Sequence, residues 1–131
     1  MKIKRKVELI EVKKLLHIEE FGPKKVINLR EKILTDNKWT NPLKISTEFL
    51  VMDGQHRMEV AKSLNLKYVP CLIYDYNEVE VWSLRKNQVV TRDLIIKKAH
   101  ARDIYPYKTA KHSFPDSGNL ICNFNLQELK G

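Results

Sequence analysis

The spacing of apolar residues changes several times along the chain, and each change predicts a different element. Residues 6–12 alternate between apolar and polar positions, which is typical of a half-buried strand. From residue 24 onward the apolar positions recur every three or four residues, which is the period of a helix face. The same criteria predict strands at 6–12, 42–46, 48–52, 67–75 and 120–126, and helices at 24–36, 55–65 and 92 to about 101.

Turn-forming residues refine these predictions. A tight connection near Thr47 would pair the second and third strands, and residues 39–42 are predicted to form a loop because Pro42 restricts the residue before it. Pro70 indicates either an edge strand or an irregular strand start, since proline cannot donate a ladder hydrogen bond. Thr91 is a favourable N-cap for the last helix.

Two segments are less regular. Residues 77–84 fit a strand or a helix equally well, and residues 103–118, with two prolines and a glycine, are predicted to be irregular. Strands and helices follow one another in mixed order rather than in strict alternation. The sequence therefore predicts an α+β fold, with one domain over residues 1–131 that contains a small mixed sheet and flanking helices.

Composition narrows the class of protein. The 131 residues are enough for a single hydrophobic core. No apolar run approaches the ~20 residues of a membrane helix, and the start has no signal-peptide core, so a cytoplasmic protein without a membrane partner is expected. Cys71 and Cys122 are too few for a disulfide framework, and we expect two ordinary thiols in a reducing compartment.

The net charge of +8 permits an anionic partner, either nucleic acid or a phosphorylated small molecule. Residues 1–65 hold 14 basic and 9 acidic side chains, and residues 66–131 hold 10 and 7. The excess of +5 and +3 is spread along the chain and forms no basic tail. Charge by itself therefore leaves both kinds of partner open.

The most informative segment is VMDGQHRMEVA, residues 51–61. An apolar strand ends at Asp53 and Gly54, and a helix begins at once, so the free amides of that helix face a ligand position. Glycine lets the backbone approach closely, and such a helix start binds phosphate. Asp53 could hold Mg²⁺ or only cap the helix, and Arg57 could be a surface cation. The side-chain donors at the helix start are Gln55, His56 and Arg57.

Two further segments carry candidate chemistry. In PYKTAKH, residues 106–112, two lysines, a hydroxyl and an imidazole form a loop that could close over an anion or be a solvated basic loop. Glu19 and Glu20 precede a Gly-Pro turn, and one of them could act as a general base, although paired acids on a loop are commonly solvated charge. Trp82 lies among apolar residues and fits the core better than a pocket wall.

Together these segments resemble the ParB N-terminal/sulfiredoxin-like superfamily, and within it the free L-serine kinases, over about residues 6–115. VMDGQHRMEVAKSLNLKYVP resembles the superfamily's D-G-x-H-R box with its helix and V-P strand. TRDLIIKKAHARDIYPYKTAKH resembles the kinases' helix and P-x-K-T-T-R-H segment, and HIEEFGP resembles the segment with the catalytic glutamate. A ParB-type nucleotide-dependent nucleic-acid-binding domain is the alternative, but the residues after Ala101 are rich in turn formers rather than patterned as a helix-turn-helix.

The resemblance implies roles for individual residues. Glu19, with Glu20 as the near alternative, corresponds to the glutamate that takes the proton from the serine hydroxyl. Asp53 corresponds to a catalytic carboxylate that can hold Mg²⁺, while Glu20 and Trp82 are expected beside the amino-acid substrate. The residues expected at the nucleotide phosphates are Gly54, Gln55, His56, Arg57, Lys108, Thr109, Lys111 and His112.

The implied activity is transfer of a phosphoryl group from ATP or ADP, with Mg²⁺, to the hydroxyl of free L-serine or a close hydroxy amino acid. The implied partners are a nucleotide and a small amino acid rather than nucleic acid or a membrane. The sequence departs from the family pattern at Gln55, where histidine is common, and at Ala110 and Lys111, where the family has threonine and arginine. Lysine cannot reproduce the two-pronged phosphate contact of arginine.

Overall fold

The computed structural model describes residues 5–116 and 120–131. Its helices are α1 (Pro23–Asp36), α2 (Gln55–Ser63) and α3 (Arg92–His100). Its strands are β1 (Glu8–Glu11), β2 (Lys38–Trp39), β3 (Leu43–Ser46), β4 (Val51–Asp53), β5 (Tyr68–Tyr74), β6 (Glu80–Ser83), β7 (Ala110–Ser113) and β8 (Phe124–Asn125). Short 3₁₀ turns lie at Val12–Lys14, Tyr76–Glu78 and Leu126–Leu129.

A four-stranded mixed sheet in the order β1-β5-β3-β4 forms the centre of the fold. β5 pairs antiparallel with β1 and parallel with β3, while β4 runs antiparallel to β3. A parallel pair needs a long crossover, and here β4 and α2 supply it. The β3–β4 connection is tight, because the Ser46 amide donates to the Leu50 carbonyl at 2.9 Å. The predicted turn near Thr47 and the predicted α+β class are confirmed.

Core side chains cover both faces of this sheet. Because side chains alternate along a strand, Val69 and Cys71 of β5 join the cluster beneath α1 and α2, whereas Leu72 and Tyr74 join the cluster beneath α3. Helix partners of the first cluster include Ile33, Met58 and Ala61, and those of the second include Ile95 and Ala99. The sheet is therefore a buried platform, and its strand ends carry the exposed polar side chains.

The helix ends follow local chemistry. α1 begins with a proline in its first turn and ends at Asn37, whose φ of 52° is left-handed. Thr91 caps α3 by accepting from the Leu94 amide at 3.1 Å, as the sequence predicts. In the described part of the chain, the helices are too short or too polar to cross a membrane.

The edge interpretation of Pro70 is wrong, because β5 lies between β1 and β3. The parallel ladder with β3 begins opposite Cys71, one residue after the proline. Pro70 therefore sits in the part of β5 that only β1 pairs, where a missing donor does not interrupt the parallel ladder. The alternative interpretation, an irregular strand start, is also wrong, because β5 pairs with β1 in regular register from Tyr68 to Cys71.

Three other predictions need correction. Residues 110–113 lie in the segment predicted to be irregular, yet they form β7 and pair with β6, with Val81 opposite His112. Residues 38–39 form β2 where a loop was predicted from 39, and β8 covers only 124–125 of the strand predicted at 120–126. These short strands depend on partners distant in sequence, which a local pattern cannot show. Residues 117 and 118 of the irregular segment lie outside the described residues.

Candidate active site

One cleft gathers residues from four parts of the chain. It has a volume of about 490 Å³ and lies between the end of β4, the start of α2, the segment before α1 and the segment around β7. Its lining residues are Glu19, Lys25, Lys44, Met52, Asp53, Gly54, Gln55, His56, Arg57, Leu84, Tyr107, Lys108, Ala110, Lys111, His112 and Phe114. The three segments that the sequence singled out therefore meet in one place.

Gly54 makes the passage from β4 into α2 possible. Its φ is 114°, and a Cβ at this position would lie 2.4 Å from Leu43 Cδ2. Leu43 is fully buried and cannot easily move aside. Only glycine fits this conformation and this space, and as a result α2 begins directly at the cleft with the partial positive charge of a helix start.

His56 is held by the backbone in front of α1. The Gly22 amide donates to His56 Nε2 at 3.0 Å, so this nitrogen carries a lone pair and the neutral ring bears its proton on Nδ1. Burial, together with the nearby charges of Lys25 and Arg57, lowers the pKa of His56. His56 thus enters the cleft as a neutral ring with one N–H donor, and the ring of Tyr107 packs edge-on against it at 5.7 Å.

The segment of residues 106–113, here called the flap, closes the other side of the cleft. Lys108 has a left-handed φ of 55° at its turn. Thr109 is fully buried, and its hydroxyl donates to the Pro106 carbonyl at 2.6 Å. The Thr109 side chain therefore stabilises the turn, while Lys108, Ala110 and Lys111 line the cleft.

Glu19 is the carboxylate that faces the flap. Its Oε2 accepts from the Lys108 amide at 2.9 Å, and its Oε1 accepts from the Ala110 amide at 3.2 Å. Backbone bonds on both sides of Glu19, from Tyr105 to Ile18 and from Glu20 to Tyr105, fix this segment beside the flap. Burial raises the pKa of Glu19, and the flap amides oppose that rise. A partly desolvated carboxylate of this kind is a better proton acceptor than one in water.

His112 belongs to β7 and lines the inner part of the cleft. Its Nε2 shares a hydrogen bond of 2.9 Å with the Tyr76 hydroxyl. Burial, with a smaller contribution from Lys111, lowers the pKa of His112 to about 4, so the ring is neutral at physiological pH. The ring of Phe114 stacks on the imidazole at a centroid distance of 6.1 Å. These contacts hold the ring at the back of the cleft.

The charges in the cleft favour a polyanion. Its lining contains two carboxylates, Glu19 and Asp53, against five cationic side chains, which are Lys25, Lys44, Arg57, Lys108 and Lys111. Mobile lysines around a helix start match the spread charge of phosphate groups. The arrangement can bind a phosphorylated ligand and place a proton acceptor opposite it.

Three residues singled out from the sequence do not line the cleft. Glu20 is exposed and lies outside it, while Thr109 is buried within the flap. Trp82 is 43% exposed on β6 and lines a separate open cavity of about 730 Å³ beside Thr91 and Arg92. The other residues expected at the site are all brought together.

Sequence reasoning missed Lys25, Lys44 and Tyr107. Lys25 stands in the first turn of α1, and its Nζ lies 5.3 Å from the centre of the Tyr107 ring. The Nζ of Lys44 lies 4.3 Å from the ring centre of Phe114. Two lysines directly after Gly22-Pro23 were a usable signal, since a helix start disfavours cations unless an anion is present. Nothing local marks Lys44, whose place depends on pairing between β3 and β4.

Comparison with solved structures defines the class of this fold. A free serine kinase in complex with AMP superimposes with a TM-score of 0.85 over 94% of this chain and 93% of that chain, at 13% sequence identity. A C-terminally truncated SbnI from Staphylococcus aureus gives a TM-score of 0.82 over 95% and 89%, also at 13% identity. The chain thus has the fold of the free serine kinases, as the sequence resemblance implied.

Sequence comparison points to the same enzymes. An ATP-dependent L-serine kinase of Desulfurococcus mucosus is 33% identical over 78 residues, and one of Staphylothermus marinus is 37% identical over 78 residues. Each match covers 56% of this chain and 31% of the relative, so the similarity extends over about a third of those proteins' length. No family model matches the sequence. The resemblance to serine kinases that the sequence motifs indicated is confirmed.

Proposed function

We propose that this chain is a nucleotide-dependent kinase that phosphorylates free L-serine or a close hydroxy amino acid and gives O-phosphoserine. The observation that supports this most is the meeting of a helix start, a cationic flap and a partly buried carboxylate in one cleft. The likeness to ATP-dependent L-serine kinases favours this function over a ParB-type nucleic-acid role. Nucleotides and free amino acids occur together in the cytoplasm, where we place the reaction.

In the proposed complex, the nucleotide phosphates lie against the first turn of α2. The helix-start amides and Arg57 contact them from one side, and the flap lysines Lys108 and Lys111 neutralise them from the other. The Nδ1–H of His56 adds a neutral donor. Phosphoryl transfer depends mainly on positioning and charge neutralisation, and these groups supply both.

Glu19 is the proposed general base. The acceptor hydroxyl would lie between its carboxylate and the terminal phosphate, where the cleft is open. The hydroxyl oxygen forms a new bond to phosphorus while the bridging P–O bond of the donor breaks. The hydroxyl proton passes to Glu19 and then to solvent, and the donor leaves as the nucleotide with one phosphate fewer. Glu19 also accepts hydrogen bonds from the flap amides. The proposed base is therefore held in position only when the flap lies against it.

Asp53 is the proposed ligand for Mg²⁺. Its carboxylate is exposed at the end of β4 and lines the cleft. Among residues 5–116 and 120–131, no group of three or more His, Cys, Asp or Glu side chains could hold a metal ion by itself. This fits Mg²⁺, which usually takes one or two carboxylates and arrives with the nucleotide phosphates. When bound, the ion neutralises phosphate charge, which is the chemistry that the reaction needs from it.

Phosphorus NMR of the protein with Mg²⁺ and either ATP or ADP tests the proposal against a panel of serine, threonine, homoserine and ethanolamine. We expect a new phosphomonoester signal with serine, together with an equal loss of the donor's terminal phosphate signal. The choice between ATP and ADP follows from which donor is consumed. Release of inorganic phosphate alone, or an unchanged spectrum with nucleotide bound, would contradict the proposal.

A further inference from the structure

The ring of His17 lies between two side chains of α2 and is within hydrogen-bond distance of both. Its Nδ1 lies 2.6 Å from Gln55 Oε1, and its Nε2 lies 2.7 Å from Glu59 Oε2. Phe21 covers the ring at a centroid distance of 5.2 Å, and the His17 side chain is 13% exposed. The mechanism described above does not use this histidine.

Both α2 side chains that contact the ring present hydrogen-bond acceptors to it. The Nε2 group of Gln55 donates to the Val51 carbonyl, so its Oε1 must face His17 and can only accept. Burial alone would raise the pKa of Glu59, but its hydrogen bond from His17 and the charge of Lys62 lower it overall, so this carboxylate also accepts. Both ring nitrogens therefore face hydrogen-bond acceptors, a geometry that suits a ring with a proton on each nitrogen.

The His17 ring connects two segments of the cleft that are distant in sequence. The backbone next to it is anchored to the sheet, since the Leu16 amide donates to Phe49 at 3.0 Å and the Leu16 carbonyl accepts from Val51 at 2.9 Å. Glu19 follows two residues after His17. On the other side, Gln55 is the first residue of α2 and is 8% exposed. The ring thus spans from the carboxylate segment to the start of the phosphate helix.

We propose that His17, as an imidazolium, is a positioning residue that sets the distance between Glu19 and the first turn of α2 through its bond to Gln55. The inference rests on the proposed kinase function. The side chain of Gln55 is used here as an acceptor for His17. His17 itself does not line the cleft. Its effect reaches the reaction only through the two segments that it joins.

Two variants and a matched control test the proposal by kinetics. His17→Gln removes the charge and the paired contacts, and Glu59→Gln removes only the counter-charge at nearly constant size. His100→Gln is the control, because His100 forms a similar pair with Glu48 at 3.4 Å but is exposed and does not line the cleft. We expect His17→Gln to lower kcat for serine phosphorylation by about 10- to 100-fold, with nucleotide affinity changed by less than about threefold. Glu59→Gln should also lower kcat, and His100→Gln should change neither kcat nor the nucleotide affinity.

NMR provides readouts that need no activity. In the wild-type protein at neutral pH, both ring nitrogens of His17 should give signals of protonated nitrogen. The amide signals of Lys108 and Ala110, which report their bonds to Glu19, should shift in the His17 variant and not in the His100 variant. If His17→Gln does not fold, Glu59→Gln carries both the kinetic and the amide measurements.

The outcomes separate this inference from the proposed function. A neutral His17 ring, unmoved flap amides, or a wild-type kcat in the folded variant would each overturn the positioning role. If the wild-type protein phosphorylates none of the acceptors, the kinase proposal fails, whereas the ring and amide signals still decide whether His17 joins the two segments.

Discussion

Both carboxylate oxygens of Glu19 accept backbone hydrogen bonds from the flap, whereas the side chain of the neighbouring Glu20 is exposed. The two glutamates are equivalent in charge and adjacent in sequence. Their environments differ because the backbone around them pairs with Tyr105, which turns successive side chains to opposite sides. This pair therefore provides a matched comparison for the proposed general base.

Glu19→Gln should reduce turnover by about 100-fold or more, because a glutamine cannot take the hydroxyl proton. Nucleotide affinity should fall less, although a glutamine amide can accept only one of the two flap hydrogen bonds. Steady-state kinetics and nucleotide titration measure the two effects. Glu20→Gln is the control and should behave as wild type, and near-normal turnover in Glu19→Gln would show that the base assignment is wrong.

Gly54→Ala should destabilise the protein by about 2–4 kcal/mol, because the new Cβ meets buried Leu43 and the φ of 114° disfavours any side chain. Gly22→Ala is the matched control: its φ is −90° and its nearest neighbours would be 3.8 Å from a Cβ, so the loss should stay below about 1 kcal/mol. Urea denaturation of both variants checks this. Equal losses would mean that the packing beneath Gly54 is looser than described.

At the scale of elements, the flap contains β7, and this strand depends on β6 for its ladder hydrogen bonds. His112 adds a side-chain anchor, since it bonds to Tyr76 and stacks on Phe114. Phe114 in turn contacts the ring of Tyr74, which belongs to the central sheet. The flap strand is therefore attached to the sheet through a row of rings, and its position depends on His112 staying neutral.

Acid should loosen this attachment. An unfolded histidine takes up a proton below its ordinary pKa of 6.5, but the folded His112 does so only near 4. Between these values the unfolded state binds more protons, so stability falls as pH decreases across this window, by about 3 kcal/mol at most. Chemical denaturation from pH 7 to 4 should show that the free energy of unfolding falls less steeply in His112→Gln than in wild type. The His100→Gln variant should retain the wild-type dependence on pH. Parallel curves for wild type and His112→Gln would contradict the assignment.

At the scale of the molecule, one guanidinium near the start of the described chain joins β5, the turn that follows it and the segment after the flap. Arg5 donates to the Ile73 carbonyl at 2.7 Å and to Asp116 at 3.1 Å, pairs with Glu78, and lies 3.8 Å over the ring of Tyr74. Asp116 follows closely after the flap strand and also accepts from the Tyr74 hydroxyl. Arg5 thus fixes the exit of the flap to the central sheet.

Arg5→Ala should cost about 2–4 kcal/mol of unfolding free energy, because it removes the cation shared by half-buried Asp116 and exposed Glu78 and takes a charged donor from the Ile73 carbonyl. Arg5→Lys should recover only part of this, since lysine lacks the planar fork. Lys13→Ala breaks an exposed pair with Glu11 and should leave the free energy of unfolding almost unchanged. A loss in Arg5→Ala no larger than that in Lys13→Ala, measured by chemical denaturation, would argue against a structural role for this network.

The net charge of +8 makes a separate prediction about partners. If the cationic cleft serves a nucleotide, duplex DNA should bind weakly at physiological salt and should not compete with ATP. A ParB-type role would instead give tight DNA binding that weakens steeply as salt increases. A salt-titrated gel-shift assay on mixed DNA distinguishes them, and strong, salt-sensitive binding would favour the nucleic-acid alternative.

Much of the architecture was predictable because it depends on neighbours in sequence. Helix periodicity and end signals placed α1, α2 and α3 within a few residues of their observed bounds. The Asp-Gly step before α2 predicted a direct passage from strand to helix, which the positive φ of Gly54 makes possible. The segments of the cleft were also recognisable by their resemblance to known kinases.

The tertiary structure alone decided which of these side chains reach the cleft. It placed β5 at the centre of the sheet despite Pro70, brought Lys25 and Lys44 into the site, and turned Thr109 and Trp82 away from it. It also paired His17 with Glu59 across 42 positions. Local sequence specifies backbone conformation through short-range sterics and hydrogen bonding, but the direction of a side chain depends on strand pairing and packing between segments that are far apart along the chain.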